Sequence, residues 1–141
     1  MSDATPAHAA VPRRAGGAAG LTLAGLCAAT GAEAIWCPDT AAPVAGVVAA
    51  DLMSDVLVDA RPGFVLVTGL VNVQVIRTAA IADLAAVVFA RGKAVPPDVA
   101  DLAREMRVPI FTIREALFSA AGRLYAALGL EPEEPGARRQ G

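Results

Sequence analysis

The sequence has few of the residue types on which catalytic and redox sites depend. Its 141 residues include a single histidine, His8, in a Pro/Ala-rich stretch near the N-terminus. This position excludes a mechanism that needs a core histidine as base or metal ligand. The two cysteines, Cys27 and Cys37, are too few for an iron–sulfur cluster and lack Cys-x-x-Cys spacing, so they are either buried free thiols or a disulfide pair. We therefore expect neither a cofactor nor a metal ion.

Charge of one sign is not in excess, and long hydrophobic runs are missing. Twelve basic and fourteen acidic residues give a net charge of −2, which leaves no positive surplus to bind a nucleic-acid backbone. Hydrophobic residues make up 55% of the chain, but 33 alanines account for much of that share. No uninterrupted run of about 18 strongly apolar residues occurs, and no membrane-spanning helix is predicted.

One segment near the N-terminus has two interpretations. Paired arginines precede a mildly apolar stretch at 15–30, an order that is typical of export signals. The stretch is mostly alanine and glycine, however, and it fits a short helix over Leu23–Thr30 with Thr22 as N-cap and Gly31 after its end. The helix is the better fit, and we expect a cytoplasmic protein.

The rest of the chain predicts alternating strands and helices between two disordered tails, 1–19 and 131–141. Apolar runs predict strands at 34–37, 44–49, 64–67, 85–90 and 109–111. Helical periodicity and capping residues predict helices at 51–60, 73–82, 97–106 and 112–128, the last opened by a capping box at Thr112 and Glu115. Apolar strands separated by helices of this length predict a mostly parallel sheet covered on both faces. The fold class is therefore a small three-layer α/β sandwich over 20–130.

The loops after these strands form a candidate ligand site, because ligands of parallel sheets collect at the carboxyl ends of the strands. Three loops should converge there: 68–72, 91–96 and 112–114. Their candidate ligand-binding residues are Thr68, Gly69, Asn72, Gln74, Arg77, Arg91, Gly92, Lys93 and Thr112. Backbone N–H groups, a helix dipole and two cations would suit a small anionic molecule. The alternative is a plain solvated loop.

An acidic stripe is predicted on the helix at 51–60. Asp51, Asp55 and Asp59 recur at every fourth position, with Ser54 beside them. The outer face of an amphipathic helix explains this spacing without further assumption. Asp51, Ser54 and Asp55 are kept as a possible docking or polar rim.

The last helix has two apolar stripes. The first, which should pack on the sheet, consists of Leu117, Ala120, Leu124 and Leu128. The second consists of Phe118, Ala121, Gly122 and Tyr125. It is either additional core or the face of a dimer.

Three segments carry a family resemblance: 67–70 (VTGL), 72–79 (NVQVIRTA) and 88–93 (VFARGK). Together with 51–56 and 121–125 they resemble a stand-alone DRTGG-domain protein over about 21–128. The family signature has Asp-Arg after one strand and Thr-Gly-Gly after the next. Here these places hold Val71-Asn72 and 90–92 (Ala-Arg-Gly), so only Gly92 is kept.

The resemblance implies a fold similar to the N-terminal domain of HPr kinase/phosphorylase without its kinase domain. In larger chains, domains of this family accompany phosphate acetyltransferase or lie between the CBS domains of regulated pyrophosphatases, where they have regulatory and dimerising roles. Single-domain members are often encoded beside iron-only hydrogenase genes. The resemblance thus implies a non-catalytic sensor or interaction module that forms a homodimer.

Two functions from different classes fit these observations. The first is a regulatory domain that binds a small anionic ligand, such as a nucleotide, at the strand-end loops. The alternative is a subunit or docking partner of a redox, hydrogenase-type enzyme complex. An enzyme is least favoured, because the sequence contains no phosphate loop, dinucleotide fingerprint or nucleophile elbow.

Overall fold

The computed structural model describes residues 20–129, so His8 and the two predicted tails, 1–19 and 131–141, lie outside the described residues. The strands are β1 (Leu21–Thr22), β2 (Glu33–Trp36), β3 (Pro43–Val44), β4 (Gly46–Ala49), β5 (Phe64–Thr68), β6 (Ala86–Phe89) and β7 (Ile110–Thr112). The helices are α1 (Leu23–Thr30), α2 (Met53–Asp59), α3 (Val73–Ile81), α4 (Pro97–Met106) and α5 (Leu117–Ala127). In this part of the chain no helix is long and apolar enough to cross a membrane.

The main sheet has five strands in the order β2-β7-β6-β5-β4. Strands β4, β5, β6 and β7 run parallel, and β2 pairs with β7 in the antiparallel direction. A separate two-stranded ribbon joins β1 to β3. The predicted mostly parallel sheet is confirmed, with one antiparallel strand added at its edge.

The two faces of the sheet carry two separate apolar clusters. On β5, Val65 and Val67 pack with α1 and α5, whereas Phe64 and Leu66 pack with α2, α3 and α4. This division follows from the alternation of side chains along a strand. Every residue of β5 and β6 is buried, which requires helices on both faces. The predicted three-layer sandwich is confirmed.

Helix α1 has the predicted ends. The Thr22 side-chain oxygen accepts a hydrogen bond from the Gly25 backbone N–H at 3.1 Å. Gly31 ends the helix with φ of 80°, in the left-handed region that favours glycine. Leu23 and Leu26 are fully buried against the sheet. The helical interpretation of this segment is therefore confirmed for 23–30.

Two predicted helix starts are wrong. Helix α2 begins at Met53, so Asp51 precedes it and does not continue a stripe with Asp55 and Asp59. The capping box at Thr112 does not form either, because Thr112 pairs with Phe89 as the last residue of β7 and Ile113 is buried behind it. Helix α5 consequently begins only at Leu117.

The second apolar stripe of α5 is only partly additional core, because Ala121 packs against the cluster on this face of the sheet whereas Phe118 and Gly122 are exposed. Phe118 is 90% exposed, and a Cβ added at Gly122 would meet nothing within 4 Å. The first stripe is buried as predicted, with Ala120, Leu124 and Leu128 in the α1–α5 cluster. Of the two alternatives for the second stripe, the core is thus wrong at Phe118 and Gly122.

Gly46 is the first residue of β4, which is separated from β3 at Ala45 within the predicted strand at 44–49. It lies opposite Phe64 in the parallel ladder, and a Cβ at this position would come within 2.6 Å of the Phe64 ring. The buried ring therefore occupies the space that a side chain at 46 would need. Glycine is required here by close approach.

This packing predicts opposite effects for two glycine substitutions. Gly46→Ala should lower the free energy of unfolding by about 1–3 kcal/mol, because the Phe64 ring must move inside a packed cluster. The matched variant Gly122→Ala should raise it by up to about 1 kcal/mol, because alanine favours a helix and the position is open. Urea unfolding followed by circular dichroism measures both. Equal effects of the two variants would contradict the assigned packing.

Candidate functional site

The carboxyl ends of the parallel strands meet at one edge of the sheet, and backbone hydrogen bonds tie two of the following loops together. The Arg91 N–H donates to the Glu115 carbonyl at 2.7 Å, and the Gly92 N–H donates to the Ile113 carbonyl at 2.8 Å. The loops after β6 and β7 therefore form one unit. The predicted convergence of 91–96 with 112–114 is what the structure shows.

Asp51 fixes the loop after β5. Its Oδ1 accepts hydrogen bonds from the Thr68 hydroxyl at 2.9 Å and from the Gly69 N–H at 2.8 Å. The Thr68 Oγ1 in turn accepts from the Leu70 N–H at 3.1 Å. Asp51 lies two residues after the end of β4 and two residues before the start of α2, and from there its carboxylate holds the loop that follows the neighbouring strand β5.

Lys93 reaches the same loop from the other side. Its ammonium group donates a hydrogen bond to the Gly69 carbonyl. The position that a Cβ of Gly69 would occupy lies 3.6 Å from Asp51 Oδ1 and 3.9 Å from Lys93 Nζ. Gly69 therefore lies between a carboxylate and an ammonium, and three of the predicted site residues, Thr68, Gly69 and Lys93, are brought together with Asp51.

The turn at Arg91 and Gly92 directs Lys93 back toward that loop. Both residues have positive φ, 70° at Arg91 and 60° at Gly92. A non-glycine residue in this region costs on the order of 1 kcal/mol, which the cross-loop hydrogen bond of the Arg91 N–H helps to offset. The Arg91 residue is exposed as a result.

A cleft of about 260 Å³ lies beside this turn, and we call it the β6–β7 cleft. Its lining residues are Gly31, Glu33, Gly92, Lys93, Thr112 and Arg114. Glu33 and Thr112 are direct partners across the β2–β7 ladder, so their side chains leave the sheet on the same side. A Cβ on Gly92 would lie 3.8 Å from the Arg114 Cα, which means that the bare Gly92 backbone forms part of the cleft surface.

The charges in the cleft favour an anionic ligand, and the carboxylate among them can also accept a hydrogen bond from that ligand. Lys93 and Arg114 contribute two cations, and Glu33 contributes one carboxylate. Among residues 20–129, Glu33 forms no ion pair with either cation. An ammonium has three donors, so Lys93 keeps two after its bond to Gly69. In the same range no cluster of His, Cys, Asp and Glu has the arrangement of a metal site.

Other predicted residues lie outside the cleft. Asn72 is the N-cap of α3, and its Oδ1 accepts from the Val75 N–H at 3.1 Å. Gln74 and Arg77 are exposed on α3 and do not line the cleft. Ser54 and Asp55 are exposed in the first turn of α2 and do not line it either.

Sequence reasoning missed Glu33 and Gly31 as cleft residues and did not select Arg114. Arg114 follows β7 directly, so its place in the third predicted loop was the available signal. Glu33 is the first residue of β2 and Gly31 ends α1 just before it, and the antiparallel pairing of β2 with β7 lies outside the regular strand–helix alternation. No local pattern in the sequence indicates that pairing.

Cys27 and Cys37 are free thiols, so the disulfide alternative is wrong. Both are half-buried and pack against the α1–α5 cluster. Burial raises the pKa of the Cys27 thiol, and the charge of Cys37 raises that pKa further. Burial also raises the pKa of Cys37, so neither thiol is activated as a nucleophile by its surroundings.

Comparison with known proteins finds similarity among solved structures. No family model matches the chain, and a search of curated proteins finds no significant relative. Among solved structures, the chain is similar to the CBS and DRTGG domains of the regulatory region of Clostridium perfringens pyrophosphatase, in complex with the activator diadenosine tetraphosphate. The TM-score is 0.63 at 15% sequence identity, over 76% of this chain and 47% of that chain.

The fold is DRTGG-like. The match confirms that part of the sequence prediction, and at 15% identity it concerns the fold alone. The chain spans about half the length of the pyrophosphatase region that it matches. The diadenosine tetraphosphate is a ligand of that region, and for this chain it supports a proposal only.

The contacts of Asp51 lead to a prediction about stability. Asp51→Ala should lower the free energy of unfolding by about 1–2 kcal/mol, because it removes the acceptor of both the Thr68 hydroxyl and the Gly69 N–H. Asp55→Ala is the matched control, an exposed aspartate for which we expect a change within about 0.5 kcal/mol. Urea unfolding measures both. Indistinguishable midpoints for the two variants would show that Asp51 does not hold the loop.

Proposed function

We propose that the protein is a regulatory domain that binds a small anionic ligand, such as a nucleotide, in the β6–β7 cleft. The observation that carries the proposal is that Lys93, Arg114 and the bare backbone of Gly92 line one cleft at the carboxyl edge of a parallel sheet. This edge is where α/β folds bind ligands. Two cations with free donors give such a cleft its preference for anions.

The class of function is supported by the fold of the neighbour. The matching pyrophosphatase structure is of a regulatory region, and the molecule bound to it is a nucleotide that activates the enzyme. A domain with the same fold and a cationic cleft fits a role in sensing rather than in catalysis. In the proposed site Thr112 and Gly92 line the cleft. Thr68, Gly69 and Asp51 lie behind Lys93 and hold it in position.

Ligand binding is tested by titration with AMP, ATP and inorganic phosphate. We expect a rise in the melting temperature at millimolar ligand, because a ligand of the folded state stabilises it by mass action. Arg114→Gln should weaken binding by roughly tenfold, since it removes a charge-assisted contact to the anion. Isothermal titration calorimetry provides the dissociation constants.

Arg104→Gln is the matched control for Arg114→Gln. Arg104 is an exposed arginine of α4 whose ion pair with Asp101 at 3.6 Å is a surface pair, and it lies outside the cleft. Its removal should leave the affinity unchanged. Equal losses in the two variants, or no stabilisation by any of the three ligands, would refute the proposed site.

We further propose that the protein is a homodimer that pairs through the exposed stripe of α5. Phe118 is 90% exposed, and the open surface at Gly122 lets another helix approach closely. Contiguous apolar patches mark interaction surfaces, and the half-buried Ala121 and Tyr125 extend this one from Phe118 along α5. The sequence resemblance implies the same state. It also implies a hydrogenase-type redox partner, and we propose the same stripe of α5 as the place where such a partner would dock.

The mass of the protein in solution tests whether two copies pair through this face. Phe118→Ser should convert a dimer into a monomer in size-exclusion chromatography with light scattering, because it removes the largest apolar contact of the stripe. Leu57→Ser, at a position of α2 that is 51% exposed, is the control and should leave the mass unchanged. A monomeric parent protein would refute the homodimer. Co-purification of a redox enzyme with that monomer would favour the alternative partner.

A further inference from the structure

Glu33 is a carboxylate in a cleft whose other charged groups are cations. It is the first residue of β2 and lies opposite Thr112, at the carboxyl end of β7. The residue is exposed, and among residues 20–129 it forms no ion pair. Glu33 is therefore available to a bound molecule.

A carboxylate here needs a hydrogen-bond donor from that molecule. An ionised carboxylate only accepts hydrogen bonds, and it repels an anionic group placed against it. The anion of a ligand will therefore lie toward Lys93 and Arg114, and a different part of the ligand will face Glu33. That part must carry donors.

The hydroxyl groups of a ribose meet this requirement. In dinucleotide-binding folds an acidic side chain accepts hydrogen bonds from ribose hydroxyls while backbone and helix termini hold the phosphates. Glu33 and the Gly92 backbone with its neighbouring cations offer the same two kinds of contact within one cleft. A nucleotide supplies both the phosphate and the donor.

The size of the cleft limits how much of the ligand is enclosed. About 260 Å³ lies below the roughly 300–1,000 Å³ of pockets that enclose drug-sized ligands. The phosphate and the sugar would fill this volume, and the base would extend into solvent. Discrimination between bases should then be weak.

We propose that the β6–β7 cleft takes a ribonucleoside 5′-monophosphate, with the phosphate at Lys93 and Arg114 and the ribose hydroxyls at Glu33. This inference rests on the proposed ligand-binding function. It adds that the sugar is recognised, so the protein distinguishes ribonucleotides from deoxyribonucleotides.

Calorimetric titration with AMP, GMP, 2′-deoxy-AMP and inorganic phosphate tests the inference on the full chain. We expect AMP to bind at least about fivefold more tightly than 2′-deoxy-AMP, because the deoxy sugar lacks a donor to a charged acceptor. GMP should bind within about twofold of AMP, since the base lies outside the cleft.

Substitution of Glu33 tests whether this side chain recognises the ribose hydroxyls. Glu33→Ala should bring the ratio between AMP and 2′-deoxy-AMP close to one, while phosphate binds as tightly as before or more tightly, because a repulsive charge is gone. Glu33→Gln, which keeps one acceptor oxygen, should give an intermediate ratio. Glu105→Gln is the matched control, an exposed glutamate of α4 outside the cleft, and should keep the original ratio.

The outcomes separate this inference from the proposed function. Equal binding of AMP and 2′-deoxy-AMP would overturn recognition of the ribose and leave the anion site intact. A ribose preference that persists in Glu33→Ala would overturn the role of Glu33. Absence of binding by every phosphate compound would overturn the function and the inference together.

Discussion

The structure depends on the complete burial of β5 and β6. Both strands are apolar on both faces, so the chain must supply helices on each side, and the parallel direction of the strands follows from those crossover helices. The alanine-rich composition suits this task, because small side chains such as Ala79, Ala103 and Ala120 let helices lie close to the sheet. Parallel strands also place all their carboxyl ends at one edge, and that edge becomes the polar end of the molecule.

The polar groups of that edge divide into support and surface. Asp51 and Thr68 bond to each other and each accepts a hydrogen bond from a backbone N–H of the loop after β5, and Asn72 accepts one at the start of α3. Lys93 joins this support to the cleft through the Gly69 carbonyl. Arg114 and Glu33 carry charge without an intramolecular ion partner among residues 20–129. Fixed backbone on one side and unpaired charge on the other is what the proposed anion site requires.

The sequence predicted the sandwich and most of its elements because local signals agreed there. Thr22, Asn72 and Pro97 occupy the helix starts that their chemistry favours, and the apolar runs at 64–67 and 85–90 coincide with the buried strands. The errors arose where tertiary contacts outweighed local ones. Thr112 and Glu115 have capping-box spacing, yet pairing of Thr112 with Phe89 keeps the chain extended. Two of the six residues that line the cleft, Gly31 and Glu33, were beyond prediction, because the pairing of β2 with β7 joins distant segments.

Because β2 is an antiparallel edge strand, the cleft is complete only after β2 has paired with β7. Its two walls, at Glu33 and at Arg114, come from opposite ends of the described chain and are brought together by the β2–β7 ladder and by the packing of α1 with α5. A partly folded chain with β4, β5 and β6 in place still lacks one wall. A ligand that contacts both walls would therefore stabilise the complete fold and not one segment alone. Its binding would slow the local unfolding of the two terminal segments together rather than one at a time.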